Sequence, residues 1–70
     1  MSYRVKKLIG ALEDAMFSVS VYYDMLIIEK NGHKISYYTK NVEESKSLTN
    51  VFFEIEEMMD NCISLSQCES

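Results

Sequence analysis

His33 is the single histidine of the 70-residue chain, and Cys62 and Cys68 are its two thiols. These are the side chains most readily used as base, nucleophile or metal ligand. Their spacing supports none of these uses. Cys62 and Cys68 form neither a Cys-x-x-Cys pair nor a disulfide framework, so both are expected as free thiols. With His33 they supply three nitrogen and sulfur ligands, where structural zinc takes about four. His33 follows Gly32 and reads as an exposed turn residue. Carboxylates are plentiful, but acid–base chemistry needs a cleft that displaces their pKa values, and theirs lie on a face expected to be solvated. Gly10 and Gly32 are isolated, so no phosphate-cradling loop is present. No catalytic residue, metal or cofactor is expected, and the chain reads as a binding protein, not an enzyme.

Charge carries more information than any motif. Residues 1–40 hold six cations (Arg4, Lys6, Lys7, Lys30, Lys34, Lys40) and four anions, whereas residues 41–70 hold Lys46 against seven anions. The first part is therefore +2 and the second −6, making up the −4 of the whole. An acidic face on so small a chain suits a basic partner, such as a nucleic-acid-binding protein. Direct contact with nucleic acid is not expected, because the cations are scattered. No apolar run approaches the roughly 18 residues of a membrane span. The basic N-terminus resembles a signal peptide, but Glu13 and Asp14 interrupt its apolar residues, so an amphipathic helix in a cytoplasmic protein is expected.

The elements that would carry these charges follow from periodicity. Ser2 is a candidate N-cap, and Val5, Leu8, Ile9, Leu12, Ala15 and Met16 make one apolar helix face. Lys6, Lys7, Gly10, Glu13 and Asp14 occupy the other face, with the charges running against the helix dipole. From Phe17 the period changes to alternation: Phe17, Val19, Val21 and Tyr23 against Ser18, Ser20, Tyr22 and Asp24. Asn31-Gly32 predicts a tight hairpin, with Lys30 facing His33, Glu29 facing Lys34 and Leu26 facing Tyr37. Even positions then point inward before the turn, whereas odd positions do so in the earlier segment. A turn at Tyr23-Asp24, giving three strands, or a bulge in one bent strand resolves the conflict. The three-strand solution is preferred here.

A second helix is predicted to start at Asn41, with Glu44 completing a capping box. Leu48, Val51, Phe52, Ile55, Met59 and Cys62 form its apolar face. The expected fold is α+β: helix, two- or three-stranded antiparallel sheet, helix, with both helices on one sheet face. Residues 1–63 form the domain, and 64–70 read as a flexible tail. A core of this size leaves roughly 3–5 kcal/mol of net stability.

Two surfaces suit a partner. The first is the acidic helix, where Phe53 stands away from the apolar stripe among Glu54, Glu56, Glu57 and Asp60, with Glu43 and Glu44 in the helix's first turn. The second is the open sheet face of Tyr22, Met25, Ile27 and Tyr38, a candidate homodimer interface.

The segments VKKLIGALEDAMFSVSV, MLIIEKNGHKISYY and FFEIEEMMD, in this order over residues 5–60, give an outline that resembles small phage-encoded anti-CRISPR proteins of the type that occupies a Cas nuclease. The resemblance rests on element order, size and acidity. It implies that Glu43, Glu44, Glu54, Glu56, Glu57 and Asp60 imitate a nucleic-acid backbone and block a cationic groove in the host cytoplasm. The leading expectation is thus an inhibitor that covers a basic surface of a host protein, such as a nucleic-acid-binding nuclease complex. The alternative is a structural or regulatory homodimer.

Overall fold

The computed structural model describes residues 2–69, with side chains to Cys62. Helix α1 spans Tyr3–Asp14, strands β1, β2 and β3 span Ser18–Tyr22, Met25–Lys30 and His33–Tyr38, and helices α2 and α3 span Thr39–Glu44 and Leu48–Glu69. The sheet is antiparallel, in the order β1-β2-β3. The class is α+β, as the patterning indicates. Among the described residues no helix is long and apolar enough to cross a membrane.

Alternation and turn chemistry set the sheet. Asn31 and Gly32 both take positive φ, 55° and 81°, as the twist of a two-residue hairpin requires. The resulting register pairs Lys30 with His33, Glu29 with Lys34 and Leu26 with Tyr37, matching the sequence reading. A second two-residue turn at Tyr23-Asp24 pairs Tyr22 with Met25 and settles the choice for three strands. Tyr23 adopts φ 56°, and the turn carries no glycine. Tyr23 therefore leaves the inward set assigned to it and is 85% exposed.

Leu26 and Ile28 of β2 are completely buried, and the helices lie over them. Val5, Leu8 and Leu12 come from α1, Val42 from α2, and Val51, Ile55 and Met59 from α3. Phe17 and Tyr37 close the two sides of this single core.

Helix α1 begins as expected, with the Ser2 hydroxyl accepting from the Val5 amide. Its end differs. Met16, assigned to the apolar face, takes φ 72° and is exposed. The Met16 amide donates to the Glu13 carbonyl and the Phe17 amide to the Leu12 carbonyl. This pairing is a Schellman motif, which brings buried Phe17 onto buried Leu12. A left-handed residue cannot continue the helical face, so Met16 points outward.

The expected second helix is two helices. Thr39 donates its amide and its hydroxyl to the Asp24 carbonyl, at 2.9 and 3.1 Å, and the chain turns helical at once. Asn41 is consequently inside α2, not its cap. Ser45 ends α2, its hydroxyl donating to the Val42 carbonyl at 2.7 Å. Ser47 then caps α3 by accepting from the Thr49 amide at 3.2 Å. The backbone is helical to Glu69. The tail expected over 64–70 falls in a stretch whose side chains, with residue 70 itself, lie outside those described.

Left-handed backbone costs a non-glycine residue about 1–2 kcal/mol, partly offset by glycine's greater unfolded-state entropy. Met16→Gly is therefore expected to stabilise the fold by roughly 0.5–1 kcal/mol in urea denaturation. A lower midpoint would mean that the Met16 side chain contributes more than its backbone costs.

Candidate protein-binding surface

The buried stripe of α3, Val51, Ile55 and Met59, fixes what points away from it. At 100° per residue, Phe53, Glu57 and Asp60 lie opposite, and all three are exposed. Phe53 keeps 60% of its surface accessible. Its ring meets that of half-buried Phe52 edge-on at 6.2 Å, and Phe52 meets buried Phe17 at 6.4 Å. A row of edge-to-face aromatics thus runs from the core to the ridge. The Lys30 ammonium, 4.5 Å above Phe17, closes its inner end.

The carboxylates assigned to one surface are divided. Glu57 and Asp60 share the ridge with Phe53. Glu56 is half-buried and lines a recess with Asp60, Lys30 and Asn31, at the hairpin-tip end of the sheet. Glu54 is on the other flank, beside Tyr37. Glu43 and Glu44 belong to α2. Glu43 accepts a hydrogen bond from the Ser2 hydroxyl and lines a hollow with Tyr23 and Thr39, at the opposite end of β2. The six residues of β2 separate these groups by roughly 20 Å at about 3.3 Å per residue. Among the described residues the ion pair is Lys34–Glu29 at 3.9 Å, so no described lysine or arginine is ion-paired with Glu54, Glu56, Glu57 or Asp60, although Lys30 shares the recess with Glu56 and Asp60.

The outer sheet face is ordered in three rows by the register: Tyr22-Met25-Tyr38, Ser20-Ile27-Ser36 and Ser18-Glu29-Lys34. Tyr22 and Tyr38 are exposed, Met25 and Ile27 half-buried. Tyr23 leans edge-on against Tyr22 at 4.6 Å. The four residues expected to form a second interface therefore share one face.

Sequence reasoning did not foresee three contacts. Arg4 donates to the carbonyl and hydroxyl of Ser45, at 2.7 and 2.8 Å. Lys30 donates to the Ala15 carbonyl at the end of α1, at 3.3 Å. The Cys62 Sγ approaches the His33 Nδ1 to 3.9 Å, where α3 crosses the end of β3. Only the packing of α3 on β3 brings these two together. Among the described residues no group of three or more His, Cys, Asp or Glu side chains is placed to hold a metal ion. Cys68 lies outside the described side chains.

Compared with known proteins, the chain matches no family model, no curated protein and no solved structure.

Burial pushes the Tyr37 phenol above its ordinary value of 10.0, and the charge and hydrogen bonding of Glu54 push it further. The folded state therefore holds this proton more tightly than the unfolded chain. The contribution is complete below pH 10.0 and is lost as pH rises through the folded value. Denaturation of Tyr37→Phe between neutral pH and pH 11 is expected to show a shallower alkaline loss of stability than wild type. Parallel profiles would place the Glu54–Tyr37 contact outside the folded-state energetics.

Proposed function

We propose that this is a small non-enzymatic binding protein that covers a cationic surface of a partner with the outward ridge of α3. The observation that carries this reading is Phe53, 60% exposed beside the exposed Glu57 and Asp60, neither of which is ion-paired with a described lysine or arginine. An exposed aromatic on a rigid helix costs little entropy to dock and can fill an apolar slot. Glu57 and Asp60 beside it, with Glu54 and Glu56 on the flanks, steer a basic surface toward it. A surface that meets nucleic acid has this complementary character, so occupying it would inhibit the partner. Glu43 and Glu44, at the far end of the sheet, add to the overall field but not to the same contact.

The test uses tagged wild-type protein, Phe53→Ala and Glu57→Lys/Asp60→Lys as baits in lysate at low and high salt. A basic, nucleic-acid-binding protein is expected to be captured by wild type, released by salt and displaced by added DNA or RNA. Phe53→Ala should weaken that binding by about 2 kcal/mol or more while changing folding stability by no more than about 0.5 kcal/mol. Equal capture by all three baits would remove the ridge as the contact.

A further inference from the structure

The hairpin register places His33 on the helix-facing side of the sheet. Leu26 pairs with Tyr37, Ile28 with Ile35 and Lys30 with His33, and these alternate residues share the inner face. Leu26, Ile28 and Tyr37 are buried there. Lys30, the cross-strand neighbour of His33, turns the other way, toward the Ala15 carbonyl and the Phe17 ring. His33 is therefore left half-buried beside α3 and does not stand out as an exposed turn residue.

Helix α3 runs antiparallel to β3. Glu54 meets Tyr37, and two turns later Cys62 meets His33. From Glu54 to Cys62 the helix rises about 12 Å, and from Tyr37 to His33 the strand spans about 13 Å. The two elements stay in step, so Met58, halfway along, stands at the level of Ile35. Both Met58 and Ile35 are partly buried and packed on the core. Met58 and Cys62 are one turn apart on the same flank of α3, with Cβ atoms about 5–6 Å from each other. The methionine side chain is unbranched and flexible enough to bring its sulfur to the thiol.

A thioether, a thiol and an imidazole thus gather at one end of the core. The Cys62 Sγ and the His33 Nδ1 are 3.9 Å apart. Hydrogen bonds between nitrogen and oxygen close to about 3 Å, and the larger radius of sulfur adds only a few tenths. Two ligands of one metal, at about 2.3 Å to sulfur and about 2.0 Å to nitrogen, are about 3.7 Å apart when they subtend roughly 120°. The observed spacing is nearer the second distance.

We propose that His33, Met58 and Cys62 form a binding site for copper(I). Soft thiolate and thioether ligands select this ion, and imidazole suits copper as well. Three ligands are too few for structural zinc, but they complete a trigonal copper(I) centre. Cysteine and histidine supply two of them, and the third is a thioether. The Cys62 thiol gives its proton to solvent on binding, and His33 binds through Nδ1 with its proton on Nε2. Cys62 is nine residues from Phe53, on the opposite side of α3 at 100° per residue. The site is thus separate from the ridge and does not rest on the binding proposed above.

Anaerobic titration of the reduced full chain with copper(I), in competition with bicinchoninate, tests it. Wild type is expected to take one ion per chain from the competitor and to show a thiolate-to-copper charge-transfer band in the ultraviolet. Its melting temperature should rise with copper(I), and that of Cys62→Ser should not. Cys62→Ser should lose the ion altogether. His33→Ala and Met58→Leu should each weaken binding by at least the tenfold that loss of even an outer-shell partner costs. Met58→Leu keeps the apolar volume, so its metal-free melting temperature should match that of wild type. Cys68→Ser should bind as wild type does, and excess zinc(II) should not displace the copper. Failure of wild type to hold copper(I) against the competitor would overturn the proposal. So would undiminished binding in either His33→Ala or Met58→Leu, or loss of the ion in Cys68→Ser, which would make the ligands a pair of thiols.

Discussion

Leu26 and Ile28 reach the core from the middle strand, and the rest of the molecule is arranged to cover them. Strict alternation on β2 sends both to one side, and the Asn31-Gly32 turn holds Ile35 and Tyr37 on that side as well. Slipping either hairpin by one residue would turn these side chains to solvent. The register is thus the constraint on which both helices depend. Helix α1 must bring Val5, Leu8 and Leu12 over β1 and β2, and α3 must bring Val51, Ile55 and Met59 over β3. The outward placement of Phe53, Glu57 and Asp60 is the geometric remainder of that demand.

A chain this short cannot bury its helix ends, so it closes them from a distance. Arg4 reaches Ser45 at the end of α2, Lys30 reaches Ala15 at the end of α1, and Thr39 holds the Asp24 carbonyl of the first turn. Each contact satisfies a carbonyl that the local backbone leaves unpaired. These ties also give the uneven charge of the sequence a physical meaning. Two cations of the basic part are engaged with main-chain oxygens, and Lys34 pairs with Glu29 on the sheet. Lys6, Lys7, Lys40 and Lys46 remain, none of them ion-paired with a described residue of α3, and Glu57 and Asp60 face solvent on its ridge.

The parts of the fold that were legible in sequence are those governed by local rules. The Ser2 cap, the Asn31-Gly32 hairpin and its register, and the inward faces of α1, β2, β3 and α3 could all be read from residue type and period. The parts that escaped depend on partners far along the chain. Thr39 starts α2 because Asp24, fifteen residues earlier, offers its carbonyl, and the capping pair Asn41–Glu44 loses to that contact. The break at Ser45 is sealed by Arg4, which no local pattern reveals. The candidate surface shows the same division. Phe53, Glu57 and Asp60 share a ridge because helical spacing alone decides it. Glu43 and Glu54 were diverted by Ser2 and Tyr37, side chains brought near them by tertiary packing.

Glycine usage does not follow the backbone's demand for left-handed residues. The backbone needs left-handed residues at Met16 and Tyr23, where glycine would be cheapest, yet the chain has a methionine and a tyrosine there, both exposed. At Gly10 the backbone is helical and the space around it open, so alanine would be better, yet the residue is glycine. Met16 and Tyr23 flank β1, whereas Gly10, opposite the buried stripe of Val5, Leu8 and Leu12, faces away from the sheet. Large apolar side chains held out at both ends of β1 are poor choices for a surface that only meets water. A domain that gives up several tenths of a kcal/mol or more at each such position has little margin to lose.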